Sequence, residues 1–338
     1  MRATKEPLNL TSSLERRNHL APQMAIYDKL GVAWHPYIMY FQSPDFVSDV
    51  VNTDSFGFRV TPYLQSVISP CRRAEISSCS LVVGASTAFG VGAETDNGTI
   101  AAHLTRATGF PWLNMGGRAF SAFQEYALTA NFIGTLPRVE TIVLVSGFNN
   151  LYLAQRSIPF DLPLGSFFYQ NEFVHAMQSG TRGRRARLLS LLNGLPRPPV
   201  GDRPTIEQAI ESAVMSTRQS LMLWAALSEA LGAHLLFALQ PTAVWSGRVP
   251  QHEEAELFTV LSEIDPNLAS TLQRLDQHCY VQYRDQLQQA ARSLSIDFVD
   301  LNHEMRNRSK DADWLYVDRV HYTSLGYEVI AKEVERLL

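Results

Sequence analysis

The sequence of 338 residues predicts an α/β fold, a three-layer α/β/α sandwich with a mainly parallel sheet of about five strands. Two observations predict it. From residue 78 onward, short apolar runs alternate with longer stretches of helical periodicity, as in sheets built from strand–helix–strand units. The runs also lack polar alternation, as in Leu81–Val83 and Thr141–Ser146, because strands covered on both faces are apolar throughout.

The alternating region contains recognisable element boundaries. Asp96 and Asn97 are candidate caps for the first helix, and Ser121 and Gln124 form a capping box for the second. Gly232 closes the third helix. The expected strands cover 81–83, 111–114, 141–146, 234–239 and 296–299. The expected helices cover 99–108, 121–134, 205–232, 252–294 and 325–337, with Pro266 limiting one start within 252–294.

Two stretches fall outside this alternation. Residues 1–75 hold aromatic clusters such as Trp34–Tyr40, and we interpret them as an N-terminal extension packed on a main domain of residues 76–338. An insertion at about 155–204 is rich in proline and contains the basic run Arg182–Arg187. A stretch of this length inside a domain is typical of a lid, a partner surface or a solvated loop.

The composition is that of a globular protein, with 46% hydrophobic and 18% charged residues. A net charge of -4 gives no general attraction to nucleic acid or to an anionic membrane, so neither is expected as a partner. Cys71, Cys79 and Cys279 are odd in number and lack metal-ligand spacing, so we expect no disulfide framework, no metal and no other cofactor. The absence of a visible signal peptide or long apolar run predicts a cytoplasmic protein. Nothing in the sequence predicts an oligomeric state.

Three polar residues are expected at one edge of the sheet. Ser86 follows the first strand after the sharp exit that Gly84 allows, Asn149 follows the third strand, and His321 lies just before the last helix. The carboxyl ends of parallel strands are where open α/β sheets bind ligands. A serine there can act as a nucleophile if a base and oxyanion donors reach it, or it can simply cap the next helix.

Four short motifs contain these residues: Gly84-Ala85-Ser86, Asn114 to Ala119, Gly147-Phe148-Asn149 and Asp318-Arg319-Val320-His321. In this order they resemble the SGNH (GDSL-type) hydrolase superfamily of serine esterases and acyl hydrolases, which has a flavodoxin-like α/β/α fold. The resemblance covers roughly residues 78–155 and 295–338. Ala85 and Asn150 stand where Asp is common in that superfamily, and Ala119 stands where Gly is common.

The resemblance implies a catalytic triad. Ser86 would be the nucleophile, His321 the general base, and Asp318 the residue that orients the imidazole and stabilises its charged form. These three residue types are needed because a serine hydroxyl is a poor nucleophile until a base removes its proton. Rival residues near the same edge are His303 for the base and Asp297 and Asp300 for the orienting carboxylate.

The resemblance also implies an oxyanion hole. Its donors would be the backbone N–H groups of Ser86 and Ala119 and the side-chain amide of Asn149. Alanine can supply that backbone donor if its dihedral angles permit, and Gly117 is the alternative if the loop register differs. Aromatic side chains that could line a substrate pocket, or equally belong to the core, are Phe89, Phe148 and Trp245.

The function implied is hydrolysis of a short acyl or acetyl ester on a carbohydrate or small metabolite, through an acyl-enzyme on Ser86. A thioesterase or an O-acyltransferase with the same site is an alternative, and similar proteins occur in bacterial polysaccharide and secondary-metabolite pathways. The alternative from another class is a catalytically silent module of the same fold that binds a ligand or partner. The departures at Ala85, Ala119 and Asn150 and the surface offered by the basic insertion favour it. The residues that favour an enzyme are the intact Ser86, Asn149, Asp318 and His321.

Overall fold

The computed structural model describes residues 10–73, 76–155, 167–169, 172–173, 203–308 and 313–338. The strands are β1 (Val32–His35), β2 (Met39–Gln42), β3 (Thr61–Tyr63), β4 (Ser66–Ile68), β5 (Ser78–Gly84), β6 (Trp112–Gly116), β7 (Arg138–Ser146), β8 (His234–Leu239) and β9 (Asp297–Asp300). The last five form one parallel sheet in the order β6-β5-β7-β8-β9. The carboxyl ends of β5 and β7 are therefore neighbours at the centre of the sheet.

Helices precede, connect and follow the strands. They are α1 (Leu10–Leu20), α2 (Met24–Tyr27), α3 (Ser86–Phe89), α4 (Ile100–Thr108), α5 (Ala122–Phe132), α6 (Phe148–Ala154), α7 (Ile206–Leu231), α8 (Ala243–Ser246), α9 (His252–Ile264), α10 (Pro266–Arg274), α11 (Gln277–Ser293), α12 (Leu301–Arg308) and α13 (Ser324–Glu335). None of the described helices combines the length and the apolar character needed to span a bilayer.

Both faces of the parallel sheet are covered by helices. On one face, Leu81 and Val83 of β5 belong to a buried cluster that includes residues of α5, α7 and α11. On the other face, Val82 packs in a cluster with residues of α4, α12 and α13. Successive side chains of a strand point to opposite faces, which is why an unbroken apolar run is needed here. The predicted three-layer α/β/α sandwich is confirmed.

The predicted helical stretch over 252–294 is divided by two aspartates into α9, α10 and α11, and the helix start expected at Pro266 is that of α10. The Asp265 side chain accepts a hydrogen bond from the Leu268 N–H and begins α10, with proline at the first position. Asp276 accepts from the Cys279 N–H and begins α11 in the same way. Short polar side chains satisfy the N–H groups that a helix start leaves unpaired, so each aspartate starts a new helix.

The cap of α4 also differs from the prediction. Thr99, rather than Asp96 or Asn97, accepts the hydrogen bond from the Ala102 N–H. Asp96 is unavailable because its carboxylate binds Arg59, 2.8 Å away, and the backbone N–H and side chain of Asn52. The Asp96 side chain, which the local sequence favoured as a cap, therefore forms a long-range ion pair with Arg59 instead.

The N-terminal segment, meaning the described residues 10–73, contains α1, α2 and two antiparallel hairpins, β1–β2 and β3–β4. It contacts the rest of the chain through buried polar bonds and aromatic rings. The Tyr27 hydroxyl donates to the carbonyl oxygens of Gly90 and Ala93, at 2.8 and 2.9 Å. Phe41 packs on Phe120, with ring centroids 5.8 Å apart. These contacts place the segment directly beside the carboxyl edge of the sheet.

The predicted insertion at 155–204 begins where α6 ends. Of its residues the structure describes Gln155, 167–169, 172–173, Arg203 and Pro204. The basic run Arg182–Arg187 lies outside the described residues. Phe168 stacks on Tyr152 of α6, with ring centroids 5.5 Å apart and an interplanar angle of 14°. This contact brings part of the insertion close to the carboxyl end of β7.

Candidate active site

Ser86 stands on a sharp turn between β5 and α3. Gly84 has a φ of +154°, and a Cβ atom there would lie 2.2 Å from the Val145 carbonyl oxygen, so only glycine fits. The chain then enters α3 at Ser86 and leaves it at Gly90, which is left-handed with a φ of 92°. The first N–H groups of a helix have no intrahelical acceptor, so the Ser86 N–H is a donor at the sheet edge.

Asn114 fastens this turn to the neighbouring strand. Its side-chain amide is fully buried and donates to the Ala88 carbonyl oxygen at 2.9 Å, while its own oxygen accepts from the Gly116 N–H at 3.0 Å. A Cβ atom at Gly116 would lie 2.1 Å from the backbone nitrogen of Phe89. The close approach of α3 and β6 therefore depends on both residues.

His321 connects Ser86 to Asp318. Its Nε2 lies 2.7 Å from Ser86 Oγ, and its Nδ1 lies 2.6 Å from Asp318 Oδ2. The other carboxylate oxygen, Oδ1, accepts from the backbone N–H groups of Val320 and His321, both at 2.7 Å. A carboxylate only accepts hydrogen bonds, so Nδ1 carries the proton and Nε2 is left to accept from the serine hydroxyl.

The surroundings of Asp318 keep its carboxyl ionised. Burial by itself would raise the pKa of this group. The positive charge that His321 carries when it is protonated, the hydrogen bond with it and the two backbone N–H groups act in the opposite direction, and the pKa of Asp318 lies below its usual value. An ionised carboxylate at this position stabilises a proton on the imidazole.

The loop that carries Asp318 and His321 is supported by Glu254 of α9, which sequence reasoning missed. One Glu254 carboxylate oxygen accepts from the N–H groups of Leu315 and Tyr316, at 2.7 and 3.0 Å. Arg248 pairs with the same oxygen at 3.3 Å, and both side chains are almost fully buried. In sequence Glu254 is recognisable only as the glutamate of a capping box at the start of α9, whereas its contact with a loop 61 residues away depends on the folded chain.

Ala119, at the position where glycine is common in the superfamily it resembles, adopts a left-handed conformation with a φ of 58°. This conformation costs an alanine about 1–2 kcal/mol, so the surrounding structure must hold it. The alternative donor is occupied, because the Gly117 N–H donates to the Gly84 carbonyl oxygen at 2.9 Å. Asn149 donates one side-chain N–H to the Phe120 carbonyl oxygen at 2.7 Å, and its amide carries a second N–H.

Asn150, where the superfamily commonly has Asp, is buried and forms hydrogen bonds to both α5 and α7. Its side-chain oxygen accepts from the Ala122 N–H at the start of α5, at 2.9 Å. Its amide nitrogen donates to the hydroxyls of Ser216 and Thr217 on α7, at 3.1 and 2.9 Å. An amide supplies the acceptor and the two donors together, whereas an ionised carboxylate only accepts. This departure from the pattern therefore has a structural reason and leaves Asn149 unaffected.

A cavity of about 630 Å³ opens over these groups. Ser86, Ala119, Asn149 and His321 all lie on its wall, and Phe148 lines it as predicted. Its further lining combines aromatic with polar side chains, among them Tyr40, Gln42, Tyr152, Phe168, Tyr169, Gln240 and Asn267. The structure thus brings the serine, the histidine and the expected oxyanion donors together in one concave site.

Two of the three predicted pocket aromatics lie in the core. Phe89 is fully buried and Trp245 is 2% exposed, and neither is on the cavity wall. The Trp245 indole donates to the Leu275 carbonyl oxygen at 3.0 Å and packs against Phe148, with ring centroids 5.7 Å apart. Trp245 therefore packs against the buried side of Phe148, which lines the cavity.

The rival residues have other partners. His303 is exposed on α12 and contacts Asn307 at 3.1 Å. Asp297 pairs with His234 at 2.8 Å. Asp300 accepts from the Tyr280 hydroxyl. In the part of the chain that the structure describes, no group of three or more His, Cys, Asp or Glu side chains has the arrangement of a metal site.

No family model and no curated protein matches the sequence. Similar solved structures include a member of the lipolytic protein G-D-S-L family from Veillonella parvula, with 11% identity over 77% of this chain and 98% of that one and a TM-score of 0.42. The lipase/acylhydrolase from Enterococcus faecalis has 12% identity over 77% and 97% and a TM-score of 0.42. An extracellular lipase from Streptomyces rimosus has 11% identity over 76% and 99% and a TM-score of 0.42. At these identities and TM-scores the likeness carries no argument about the family or the activity of this chain.

Proposed function

We propose that this protein is a serine-dependent acyl ester hydrolase that forms an acyl-enzyme on Ser86. The observation that carries the proposal is the hydrogen-bond chain from Ser86 Oγ through His321 to Asp318, with distances of 2.7 and 2.6 Å, at the wall of a cavity. A serine that only capped its helix would not need an imidazole within hydrogen-bond reach of its hydroxyl. Nucleophile, base and orienting carboxylate in this order are the arrangement of an activated serine.

In the first half of the reaction, His321 Nε2 takes the hydroxyl proton as Ser86 Oγ attacks the ester carbonyl carbon. The carbonyl oxygen becomes an oxyanion, which the N–H groups of Ser86 and Ala119 and the Asn149 amide stabilise. Asp318 stabilises the imidazolium that forms. When the intermediate collapses, His321 gives its proton to the departing alcohol, and the acyl group stays on Ser86.

In the second half, a water molecule takes the place of the alcohol. His321 removes its proton as the water attacks the acyl-enzyme, the same donors hold the second oxyanion, and the acid leaves as the Ser86 hydroxyl is restored. A thioesterase would differ only in the first leaving group, and an O-acyltransferase only in the acceptor of the acyl group. All three therefore depend on the same residues.

The cavity wall supports a carbohydrate or small-metabolite ester as the substrate. Its volume of about 630 Å³ is that of a small-molecule site. Aromatic rings such as Tyr152 and Phe168 offer apolar faces for the C–H surface of a sugar or an acyl chain, and the exposed amide of Asn267 offers donors and an acceptor for hydroxyl groups. This mixture favours a substrate with both apolar and hydroxylated surface over a purely hydrocarbon one.

The proposal is tested first with a fluorophosphonate probe, which reacts only with an activated serine. The folded wild-type protein should be labelled and the Ser86→Ala variant should not. A panel of p-nitrophenyl esters of increasing acyl length, matched thioesters and acetylated sugars then separates the substrate classes, and added alcohols reveal acyl transfer. A folded wild-type protein that resists labelling would overturn the proposal in favour of the silent binding module.

A further inference from the structure

The loop that carries Ala119 is held by side chains of the N-terminal segment. The Tyr40 hydroxyl donates to the Ala119 carbonyl oxygen. The Gln42 side chain binds the loop twice: its nitrogen donates to the Gly116 carbonyl oxygen at 2.9 Å, and its oxygen accepts from the Arg118 N–H at 3.4 Å. Both residues come from β2, which is remote in sequence from the loop.

Arg118 reinforces this attachment from the loop side. Its guanidinium group donates to the carbonyl oxygen of Tyr27, the last residue of α2, at 3.3 Å and to that of Gly31, just before β1, at 2.8 Å. The hydrogen bonds therefore run in both directions, from segment to loop and from loop to segment.

The bonds made by Tyr40 and Gln42 are shielded from water, since each residue is 1% exposed. Burial raises the pKa of the Tyr40 hydroxyl well above its usual value, so the group keeps its proton near neutral pH and remains a donor. A hydrogen bond in such a site is not exchanged easily for one to water, because the partner would be left unpaired.

These contacts fix the peptide groups on either side of the Ala119 N–H. Gln42 holds the Arg118 N–H, which belongs to the preceding peptide group, and Tyr40 holds the Ala119 carbonyl, which belongs to the following one. With both neighbours fixed, the peptide group between them keeps one orientation, at the left-handed φ of 58°. An alanine free of these contacts would favour a negative φ, which would turn this N–H in another direction.

We propose that Tyr40 and Gln42 are positioning residues for the oxyanion hole, which hold Ala119 in the conformation that the superfamily obtains from glycine. The inference rests on the proposed function, because it concerns a donor that acts only on the reacting carbonyl oxygen. It assigns the N-terminal segment a part in catalysis although none of its residues belongs to the triad.

The first test is Tyr40→Phe, which removes one hydroxyl and keeps the ring. Loss of a correctly placed oxyanion donor lowers kcat by about 10²–10³, so partial misplacement should lower it by about 10- to 100-fold. KM should change by less than about twofold, because the donor acts on the transition state and not on the bound ester. Titration of active serines with the probe gives the concentration of folded enzyme, to which kcat is referred. Gln42→Met cannot make the two hydrogen bonds to the loop, so it should also lower kcat and leave KM nearly unchanged.

The second test is a rescue. Glycine adopts positive φ about as readily as negative φ, so Ala119→Gly removes the preference that Tyr40 opposes. The double variant Tyr40→Phe/Ala119→Gly should therefore regain kcat to within about threefold of the wild type, whereas Ala119→Gly alone should change it little. A general loss of packing at Tyr40 would not be repaired by a smaller residue at position 119.

The matched control is Tyr327→Phe, which also removes a buried hydroxyl that donates to a backbone carbonyl oxygen, that of Val91 at 2.6 Å. Its kcat should stay within about twofold of the wild type. Suppose that the wild-type protein is active and is labelled by the probe. The inference then fails, while the proposed function stands, if Tyr40→Phe has the same kcat as the wild type or if glycine at position 119 does not restore kcat. If the folded wild type is not labelled at all, the proposed function itself fails.

Discussion

Arg59 and Asp96 form an ion pair of 2.8 Å in which the arginine side chain is fully buried and the aspartate is 10% exposed. Arg59 also donates to the Gly90 carbonyl oxygen at 2.8 Å and to that of Phe89 at 3.3 Å, at the end of α3. A cation is stabilised at a helix end where carbonyl groups are unpaired. Arg59 of the N-terminal segment thus binds both Asp96 and the end of α3, and so stabilises the turn after β5 that carries Ser86.

Replacing this arginine should destabilise the whole protein. Arg59→Met leaves Asp96 as a buried charge without its partner, which costs about 3–5 kcal/mol. The control is Arg138→Met, since Arg138 and its partner Glu140 are 75% and 37% exposed and such surface pairs contribute about 0–1 kcal/mol. Denaturant unfolding monitored by tryptophan fluorescence measures both. Equal, small losses in the two variants would show that the buried pair contributes nothing special.

Removal of the serine hydroxyl should abolish turnover without unfolding the protein. Ser86→Ala deletes one oxygen at a partly exposed turn, so we expect kcat to fall by about 10⁴-fold or more while the thermal midpoint changes little. Ser78→Ala, at the opposite end of the same strand, is the control. His321→Ala should be comparably inactive, and the double variant Ser86→Ala/His321→Ala should be no slower than either single one, because the two residues act as a unit.

Asp318→Asn should alter both catalysis and the response to acid. An asparagine can present its N–H groups to His321 and so disturb the tautomer, yet we expect a smaller loss of kcat than for His321→Ala, since the base itself remains. The pKa of Asp318 is lower in the folded protein than in the unfolded chain, so ionisation of this carboxyl stabilises the fold above about pH 4. That stabilisation is lost as the pH falls through the folded pKa. Thermal midpoints of the wild type should therefore approach those of the variant in acid, and a constant difference at all pH values would contradict this.

Glu125 predicts the opposite dependence on pH. This side chain is 1% exposed, and loss of hydration on burial raises its pKa to about 8, although a hydrogen bond from the Ser146 hydroxyl at 2.9 Å lowers it in part. Because the folded state holds this proton more tightly than the unfolded chain, the contribution of Glu125 to stability is fully present below about pH 4 and is lost as the pH rises through about 8.

Glu125→Gln keeps an acceptor for Ser146 but does not ionise. It should raise the free energy of unfolding by up to about 3 kcal/mol at pH 7 and leave it unchanged at pH 4. Glu140→Gln, at a more exposed site, should show neither effect. A gain for Glu125→Gln that is the same at both pH values would mean that ionisation of this residue has no part in it.

The insertion should act on substrate preference through Phe168. Phe168→Ala removes a ring of the cavity wall, so we expect KM for bulky acyl groups to rise by about tenfold while the rate of labelling by a small probe is kept. Phe173→Ala is the control, since this ring contacts Trp34 and is not on the cavity wall. Replacing 160–200 by a Gly/Ser linker should change acyl preference in the same direction. Unchanged kinetics across the substrate panel would make the segment purely structural.

The sequence predicted those parts of the fold and the candidate site that depend on local pattern and on topology. Apolar runs located all five strands of the parallel sheet, and the rule that parallel strands share one carboxyl edge predicted that Ser86 and Asn149 would lie close together. The motif Asp318-Arg319-Val320-His321, just before the last helix, added His321 to this predicted group. The predicted roles of these residues remain proposals.

The parts that the sequence did not predict depend on long-range contacts. Tyr40 and Gln42 lie in a region without strand–helix alternation, and their bonds to the loop around Ala119 span more than seventy residues. Glu254 supports the His321 loop across sixty-one residues or more. Phe89 and Trp245 were candidate pocket residues because they neighbour site residues or a strand end, but neighbours along a chain often point to opposite sides.

The distance of 235 residues between Ser86 and His321 along the chain has a consequence for folding kinetics. Contacts of such separation form after large loops have closed, which makes them late events in folding. The strand and turn that carry Ser86 can pair with β6 and β7 before the loop of His321 docks on α9. During refolding, far-ultraviolet circular dichroism should therefore recover first, and reactivity of the serine towards the probe should recover last. Labelling of the Ser86 hydroxyl by the probe would then mark the folding step in which the loop of His321 docks beside the turn after β5.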